Sequence, residues 1–528
     1  MKKEQLFKAA GIITAASILS KVLGFFRETS LAGVFGATAA TDAYLVATII
    51  PWILFSVVST ALSTTLIPVF TQRVHEAGED AGLRFINTVV NFVLIFCLII
   101  VIIGYIFAPQ IVQIVAPGFQ GEAVDLTILL TRLLLPMMVF HALSAVYTGY
   151  LQSKERFTWP ALVGIPFNVI MIGSIFISGW TYGIVGVAIG SVLATASQIL
   201  IMFPGLKRAK YRYQLVLDWK DPGFRLVGKL IIPILLGTGA GQLGTIVNRM
   251  LASGLAEGSI SALNFGTRLT QLPLSIFITA VATVLYPTFS NMAANGEIGG
   301  LRKALVGGIR ASIFLTIPMA VGMIVLREPI VCVLFEHGAF DAQATAMTAY
   351  AVFFLSLGLL PMALREVISR VYFALKDTFT PMMLGIVAVV VNIILNFILV
   401  GPFAHGGLAL STSIASLVAV VFLFTILRRK LGSLGGLEMW DCFWRVSLAS
   451  AAMGCGVFAL WRVLKGLYPN PGFFLEAVLL TVAICVGVAI YVAVSALLKL
   501  PEWKICLDYT KKIVQRIMAR DQSRGESL

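Results

Sequence analysis

Residues 378–427 read TFTPMMLGIVAVVVNIILNFILVGPFAHGGLALSTSIASLVAVVFLFTIL, a run of 50 residues without Asp, Glu, Lys or Arg. A membrane-spanning helix needs about 20 apolar residues, so this run is long enough for two spans, with a turn at residues 401–407. Residues 157–206 form a second such run, and residues 85–108 form a shorter one. The runs lack the period-two alternation of barrel strands, and backbone groups in lipid must be hydrogen-bonded internally. The sequence therefore predicts an all-α polytopic membrane protein.

The composition of the whole chain supports the same fold class. Of 528 residues, 59% are hydrophobic and only 12% are charged, whereas soluble domains carry about 25% charged residues. The first apolar stretch, from Ala9, carries Lys21 and Arg27 and lacks a small-residue cleavage pattern, so we predict no cleavable signal peptide. Six scattered cysteines without a Cys-x-x-Cys pair favour apolar filling over a disulfide or metal site.

The apolar segments and the turn signals between them predict about fourteen transmembrane helices. Their approximate ranges are residues 8–28, 34–66, 85–108, 124–151, 157–178, 184–205, 226–252, 259–288, 303–326, 344–373, 379–400, 407–427, 442–464 and 473–498.

Basic residues concentrate in alternate connections, as expected for cytoplasmic loops. With the N-terminus inside, the four external segments 109–122, 179–183, 253–259 and 401–407 contain no Lys or Arg. Both termini are therefore predicted to be cytoplasmic, with residues 501–528 as a basic tail. The net charge of +14 is explained by this orientation signal and by the anionic inner leaflet, so no nucleic-acid partner is predicted. Residues 207–225 are interpreted as a solvated basic connector.

The chain repeats its own motifs at a lag of about 220 residues. The pattern Pro109, Ile111, Gly118 returns as Pro329, Val331, Gly338. Similarly, the sequence KERFTWP at residues 154–160 returns as KDTFTP at residues 376–381, and LIPVFT at 66–71 returns as LYPTFS at 285–290.

Because each repeat spans six helices, both begin on the same side of the membrane. We predict two parallel six-helix repeats around a central cavity, residues 1–222 and 223–435. Two further helices follow in residues 436–500.

Several predicted spans carry charges, which cost roughly 2.5–3.5 kcal/mol each at the centre of a lone helix. Charges that persist there usually face a wet cavity or a partner, whereas predicted helices 5, 6, 11 and 12 carry none. This segregation predicts a polar inner ring of helices 1, 2, 7 and 8. The charged span residues are Lys21, Arg27, Glu28, Asp42, Arg249, Arg268, Arg365, Glu366 and Arg370.

Each of these charges also has a structural interpretation. Arg27 could extend to the interface, and Glu28 could neutralise it locally. Asp42 could pair with a basic residue and hold helix 1 to helix 2. For Arg268, which lies deep in its helix, a cavity role is favoured, whereas the cluster at residues 365–370 favours a structural network.

Sequence signatures of enzymes are missing from the chain. It contains no Walker A motif, nucleophile elbow or His-Glu-x-x-His, and its four histidines have no partner at metal-ligand spacing. We therefore predict a protein that is not an enzyme and that holds no metal or cofactor.

Residues 20–28 read SKVLGFFRE, and FGA at 35–37 and TDAY at 41–44 follow. These N-terminal motifs resemble those of the MurJ (MviN) family of lipid II flippases. NFGTRL at residues 264–269 resembles the eighth helix of the family, and LREVISR at 364–370 resembles its tenth. The resemblance covers the whole chain, including the two C-terminal helices.

This resemblance implies that the chain moves lipid II, an undecaprenyl-diphosphate-linked glycopeptide, from the inner to the outer leaflet by alternating access. The family pattern assigns substrate binding to Lys21, Arg27, Asp42 and Arg268. The other charges in the predicted spans are candidate supporting positions: Glu28, Arg249, Arg365, Glu366 and Arg370. It implies lipid II and membrane lipids as partners, and an ion or the membrane potential as the energy source.

The sequence departs from the family pattern at two places. Lys21 stands where many members have Arg, and residues 52–60 lack a basic pair found in many Gram-negative members. Three alternatives stay open at this point: an exporter of another polyprenyl-linked oligosaccharide, a lipid-carrier enzyme, and a non-transporting scaffold of cell-wall synthesis.

Overall fold

The computed structural model describes residues 3–469 and 471–502. Within these residues the chain forms eighteen α-helices and one π-helical turn, and no β-strand. The predicted all-α fold class is confirmed. Of the predicted basic tail, residues 503–528 lie outside the described residues.

The helices are numbered in chain order. They are α1 (Lys3–Phe35), α2 (Ala39–Ile106), α3 (Ala108–Val115), α4 (Glu122–Leu134), α5 (Met137–Ser153), α6 (Thr158–Leu162), α7 (Gly164–Trp180), α8 (Gly183–Arg208), α9 (Pro222–Ala252), α10 (Ser259–Pro273), α11 (Thr279–Ala294), α12 (Ile298–Val325), α13 (Arg327–Phe335), α14 (Ala342–Leu357), α15 (Leu359–Ala374), α16 (Phe379–Leu431), α17 (Gly436–Leu467) and α18 (Phe473–Leu497).

In two places, two consecutive predicted spans belong to one long helix that is broken at a single residue. In α2 the break is at Gly78 (φ 86°, ψ 175°), and in α16 it is at Ala404 (φ 46°, ψ −131°). Residues 67–84, predicted as a connection, are therefore helical on both sides of Gly78. This stretch contains the good helix formers Glu, Ala, Leu and Arg, which keep the helix going beyond the apolar run.

Other predicted spans are helices interrupted by a bend. Pro273 ends α10, and a π-helical turn at Leu274–Ile278 leads into α11, consistent with the backbone hydrogen bond that proline removes. Helices α14 and α15 meet at a 44° bend. Among the described residues, nine helical segments are long and apolar enough to cross a bilayer, and this bent pair makes a tenth if it is one span.

Two short helices occupy connections for which no helix was predicted. These are α3 and α13, of 8 and 9 residues, and they contain the repeated Pro109 and Pro329 motifs. The same local structure thus recurs at the same place in both predicted repeats.

Contacts between α-carbons divide the described chain into two compact units. The first contains the residues up to Phe265 with Leu334–Met347 and Asn396–Leu408, and the second contains the rest. The division into repeats at residues 1–222 and 223–435 remains a prediction.

Each unit has its own apolar core. In the first unit, α2 contributes Leu66, Phe70 and Phe85 against Tyr150 of α5. In the second unit, Val446 and its neighbours on α17 pack with residues of α12 and α15. The Tyr491 hydroxyl of α18 donates to the Phe314 carbonyl at 2.7 Å, so both C-terminal helices are packed on the second unit.

Candidate functional site

Arg27 lies at the centre of a polar cluster in the first unit. Its Nη2 donates to Glu28 Oε1 at 2.6 Å, and its Nη1 donates to Asn168 Oδ1 at 3.3 Å. The Arg27 side chain is 21% exposed and that of Glu28 is 8% exposed. Asn264 Nδ2 donates to the second Glu28 oxygen at 3.4 Å. The guanidinium is therefore held in place and partly accessible, as an anion-binding group must be.

Close packing of α1 against α6 and α7 fixes this cluster. Asn168 Nδ2 donates to the Ser20 carbonyl of α1 at 3.2 Å and to the Gly164 carbonyl at 2.7 Å. A Cβ at Gly164 would overlap the Ser20 hydroxyl, so the helices approach through a glycine. The Arg27 guanidinium also lies over the Phe167 ring, 5.5 Å from its centroid, a typical cation–π distance.

Lys21, six residues before Arg27 on α1, is exposed. Six residues correspond to about 600° of helical rotation, which places the two side chains about 120° apart around the axis. Lys21 therefore lies on a different face of α1 from Arg27.

Asp42 binds the N-terminal turn of α10. Its carboxylate is buried and accepts hydrogen bonds from the Gly258 amide at 2.9 Å, the Ser261 amide at 2.7 Å and the Ser261 hydroxyl. A carboxylate at a helix N-terminus satisfies unpaired amides and complements the helix dipole. Of the two roles considered for Asp42, the structure thus displays an interhelix tie, but to α10 rather than to a basic residue of α1.

The turn before α10 needs a glycine for this tie. Gly258 has φ +82°, and a Cβ there would overlap the Ala37 carbonyl. The neighbouring Glu257 accepts a hydrogen bond from the Ala39 amide at 2.7 Å. The side chains of Asp42 and Glu257 therefore join the start of α2 to the α9–α10 turn.

Two further predicted arginines lie near this turn in the sequence. Arg249, near the end of α9, donates from Nη1 to the Ile260 carbonyl at 3.2 Å. The next amide along the chain, that of Ser261, donates to Asp42. Arg268 lies on α10 in the second unit and is exposed.

The charged residues of α15 form a local network in the second unit. Arg370 Nη2 contacts Glu366 Oε1 at 2.7 Å, one helical turn away, and the Arg370 guanidinium lies 5.9 Å from the Tyr286 ring centroid. The Arg365 guanidinium lies against Gly385, where an added Cβ would be 3.2 Å from its Nη2. These contacts join the charged cluster of α15 to α11 and α16.

Three polar residues of these clusters were not predicted: Asn168, Asn264 and Ser261. Asn168 is an amide inside a charge-free span, which is a detectable signal because buried polar groups need partners. Asn264 opens the NFGTRL motif at residues 264–269, but only the fold brings it to Glu28. Ser261 carries no comparable signal, since only the fold brings it to Asp42.

The second unit also contains a cavity of about 580 Å³ at the N-terminal end of α12. Arg310 in its wall contacts the Glu502 carboxylate at 2.6 Å and Glu438 at 3.7 Å. Lys303 and Arg302 also line it. No candidate site residue lies there.

In residues 3–469 and 471–502, no group of three or more His, Cys, Asp or Glu side chains is arranged to hold a metal ion. The clusters around Arg27 and Asp42 instead consist of a guanidinium group, carboxylates and amides. Such groups can bind an anionic ligand or tie helices together.

Comparison with known proteins identifies relatives along nearly the whole chain. The family model described as "Lipid II flippase MurJ" matches residues 31–480. The probable lipid II flippase MurJ of Vibrio cholerae is 30% identical over 514 residues, covering 94% of this chain and 96% of that protein. That of Rickettsia prowazekii is 27% identical over 508 residues, covering 94% and 98%.

Solved structures give the same result. A lipid II flippase MurJ in an inward closed conformation matches with a TM-score of 0.79 and 26% identity, covering 92% of this chain and 98% of that chain. An inward-facing multidrug resistance transporter of the MATE family shares the fold, with a TM-score of 0.66 at 18% identity. With its many apolar helices and these relatives, the chain is a multi-pass protein of the bacterial inner membrane, and it belongs to the MurJ family of lipid II flippases.

Proposed function

We propose that this protein moves lipid II from the inner to the outer leaflet of the cytoplasmic membrane by alternating access between two six-helix repeats. The observation that carries the proposal is the family match over residues 31–480. The physical need is clear, because a diphosphate–sugar–peptide headgroup cannot cross about 30 Å of hydrocarbon unaided.

Lys21, Arg27 and Arg268 are proposed to bind the diphosphate. Arginine offers a planar fork that matches phosphate oxygens, whereas lysine acts as a point charge. Arg27 is supported in this role by its contacts with Glu28 and Asn168, which fix the guanidinium before a ligand arrives. Preorganisation of this kind lowers the entropic cost of binding.

Asp42 is proposed to act on the site through α10. Its carboxylate already accepts three hydrogen bonds from residues 258 and 261, which leaves little capacity for a ligand, and it would be repelled by a diphosphate. Because α10 also carries Arg268, holding the start of this helix positions a phosphate-binding arginine. Arg249 supports the same turn.

The proposal includes an energy source and an orientation. A cavity with net positive charge that reorients across the membrane would couple to the potential at about 2.3 kcal/mol per charge per 100 mV. Both termini are placed in the cytoplasm, as the distribution of Lys and Arg predicts. The proposed activity is transport without a covalent step, and the chain is accordingly proposed not to be an enzyme.

Complementation of a strain depleted of its own flippase tests this proposal. Lys21→Ala and Arg268→Ala should each abolish rescue without loss of the protein from the membrane. The matched control is Lys465→Ala, which removes an exposed cation at the end of α17 and should rescue fully. Normal rescue by both site variants would favour a non-transporting scaffold.

A further inference from the structure

The connector between α8 and α9 alternates apolar and mostly polar residues. Residues 211–220 read YRYQLVLDWK, so that Tyr, Tyr, Leu, Leu and Trp occupy every second position. Residues 211–218 belong to no helix or strand. Alternation with a period of two is typical of an extended segment with one apolar side.

Two asparagines of α2 bind the backbone of this connector. Asn87 Nδ2 donates to the Arg212 carbonyl at 2.9 Å. Asn91 Nδ2 donates to the Gln214 carbonyl at 3.0 Å and to the Val216 carbonyl at 2.9 Å. Residues four apart on a helix lie on the same face, and alternate carbonyls of the connector point to that face.

The amide oxygens of the same asparagines are also used. Tyr211 donates its hydroxyl to Asn87 Oδ1 at 2.7 Å, and Tyr213 donates to Asn91 Oδ1 at 2.8 Å. Both asparagine side chains therefore donate to the connector backbone and accept from a tyrosine. The connector is fixed to the helix rather than free in solution.

The C-terminal end of the connector is fixed as well. The Trp219 ring lies perpendicular to the Phe92 ring with a centroid distance of 4.5 Å. Asp221 then caps α9 by accepting from the Phe224 amide at 3.0 Å, and it pairs with Arg73 at 2.6 Å.

On the apolar side of the connector, Tyr211 packs against Tyr147 and Tyr150, but the other four residues are exposed. Leu215 is 82% exposed, Trp219 is 64% exposed and Tyr213 is 53% exposed. Leu217 is also exposed. A row of large apolar side chains held outward by specific hydrogen bonds marks an interaction surface.

The position of this row on α2 identifies what covers it. One turn beyond Asn91, the outward side chains of α2 are Ile95, Phe96 and Ile99, all exposed, as expected for a helix surface that faces lipid. The charge-free run 85–108 is about 36 Å long as a helix, so Asn87 and Asn91 lie in its first two turns, at the membrane boundary. The hydrogen bonds from Asn87 and Asn91 therefore hold the connector beside the start of this apolar run.

The charges around the row fit the same occupant. Basic residues flank it on both sides, and anionic lipid headgroups attract such residues at the cytoplasmic surface. Tyr and Trp are enriched at membrane–water interfaces. The flanking basic residues are Lys207, Arg208, Lys210, Lys220 and Arg225.

We propose that the 211–220 connector lies in the membrane interface, with Tyr213, Leu215, Leu217 and Trp219 in contact with acyl chains and the flanking basic residues near anionic headgroups. This proposal is an alternative to the interpretation of residues 207–225 as a solvated connector. The proposal concerns the surrounding bilayer and does not depend on which lipid is transported.

Site-directed spin labelling tests this placement. All six cysteines are replaced by serine, and single cysteines are introduced by Leu215→Cys or Leu217→Cys on the apolar side and by Gln214→Cys as the matched control. The labelled proteins are placed in nanodiscs of phosphatidylethanolamine and phosphatidylglycerol. Collision of the nitroxide with oxygen, which partitions into lipid, is compared with collision with a water-soluble nickel chelate.

The labels at 215 and 217 should collide more with oxygen than with nickel, and the label at 214 should show the reverse preference. Equal, high nickel accessibility at all three positions would mean a solvated connector and would overturn the proposal. Low accessibility to both reagents at 215 and 217 would mean that protein covers the row, which would overturn it as well.

Discussion

Removing the Asp42 carboxylate should destabilise the protein through α10. The side chain is 3% exposed and accepts three hydrogen bonds. Each hydrogen bond to a charged group contributes about 1.5–3 kcal/mol, but three donors sharing one carboxylate are not additive. We therefore expect Asp42→Ala to cost about 3–5 kcal/mol, because three buried donors lose a charged acceptor. Asp42→Asn keeps one acceptor oxygen and should cost about half as much.

The measurement is the thermal unfolding midpoint of purified protein in detergent. A loss of 3–5 kcal/mol corresponds to a decrease of roughly 3–5 °C, at about 1 °C per kcal/mol for a chain of this length. Glu257→Ala is the matched control, because it removes an exposed carboxylate from the same turn and should cost less than about 1 kcal/mol. If Asp42→Ala kept the wild-type midpoint but lost transport, Asp42 would contact substrate directly and the positioning role would be refuted.

Three further variants test other parts of the structure. Arg310→Ala removes the cation that pairs with Glu502, whose side chain is 9% exposed. This change should lower the free energy of unfolding by on the order of 2 kcal/mol, and an unchanged unfolding midpoint would contradict it. Arg27→Lys keeps the charge but loses the fork, so lipid II flipping should fall about tenfold or more at unchanged membrane abundance; full activity would show that the fork is dispensable. Burial raises the pKa of the Asp377 carboxyl, but hydrogen bonds to the carboxylate, including one from Lys430, lower this pKa to about 2. Because the pKa is lower in the folded protein, the ionised carboxyl stabilises the fold at pH values above its unfolded pKa of about 4. The difference in unfolding midpoint between wild type and Asp377→Asn should therefore be constant near neutral pH and shrink from about pH 4 toward pH 2. A difference that does not change with pH would refute the lowered pKa.

The membrane fold could be predicted because its signals are local. Apolar runs, turn residues and the placement of Lys and Arg are each visible without knowledge of packing. Helix ends were less predictable, since the breaks at Gly78 and Ala404 affect only one residue each. Hydropathy cannot distinguish a helix that leaves the bilayer from a loop, and residues 67–84 illustrate this.

The candidate site could be predicted only for its charges. A charge in an apolar span is conspicuous, so Arg27 and Asp42 were identified. Their partners depend on helix neighbours distant in sequence: Asn168 is 141 residues from Arg27, and Ser261 is 219 residues from Asp42. The alternation in residues 211–220 is visible in the sequence. The hydrogen bonds from Asn87 and Asn91 to this connector are visible only in the fold.

Leaflet-resolved labelling of lipid II, in cells depleted of their own flippase and expressing this chain, follows the transport step itself. The wild-type chain should restore lipid II to the outer leaflet, whereas a Lys21→Ala, Arg268→Ala double variant, present in the membrane at the same level, should leave it in the inner leaflet. Rescue of growth by the wild-type chain without outer-leaflet lipid II, or equal outer-leaflet labelling by both proteins, would contradict the proposed transport.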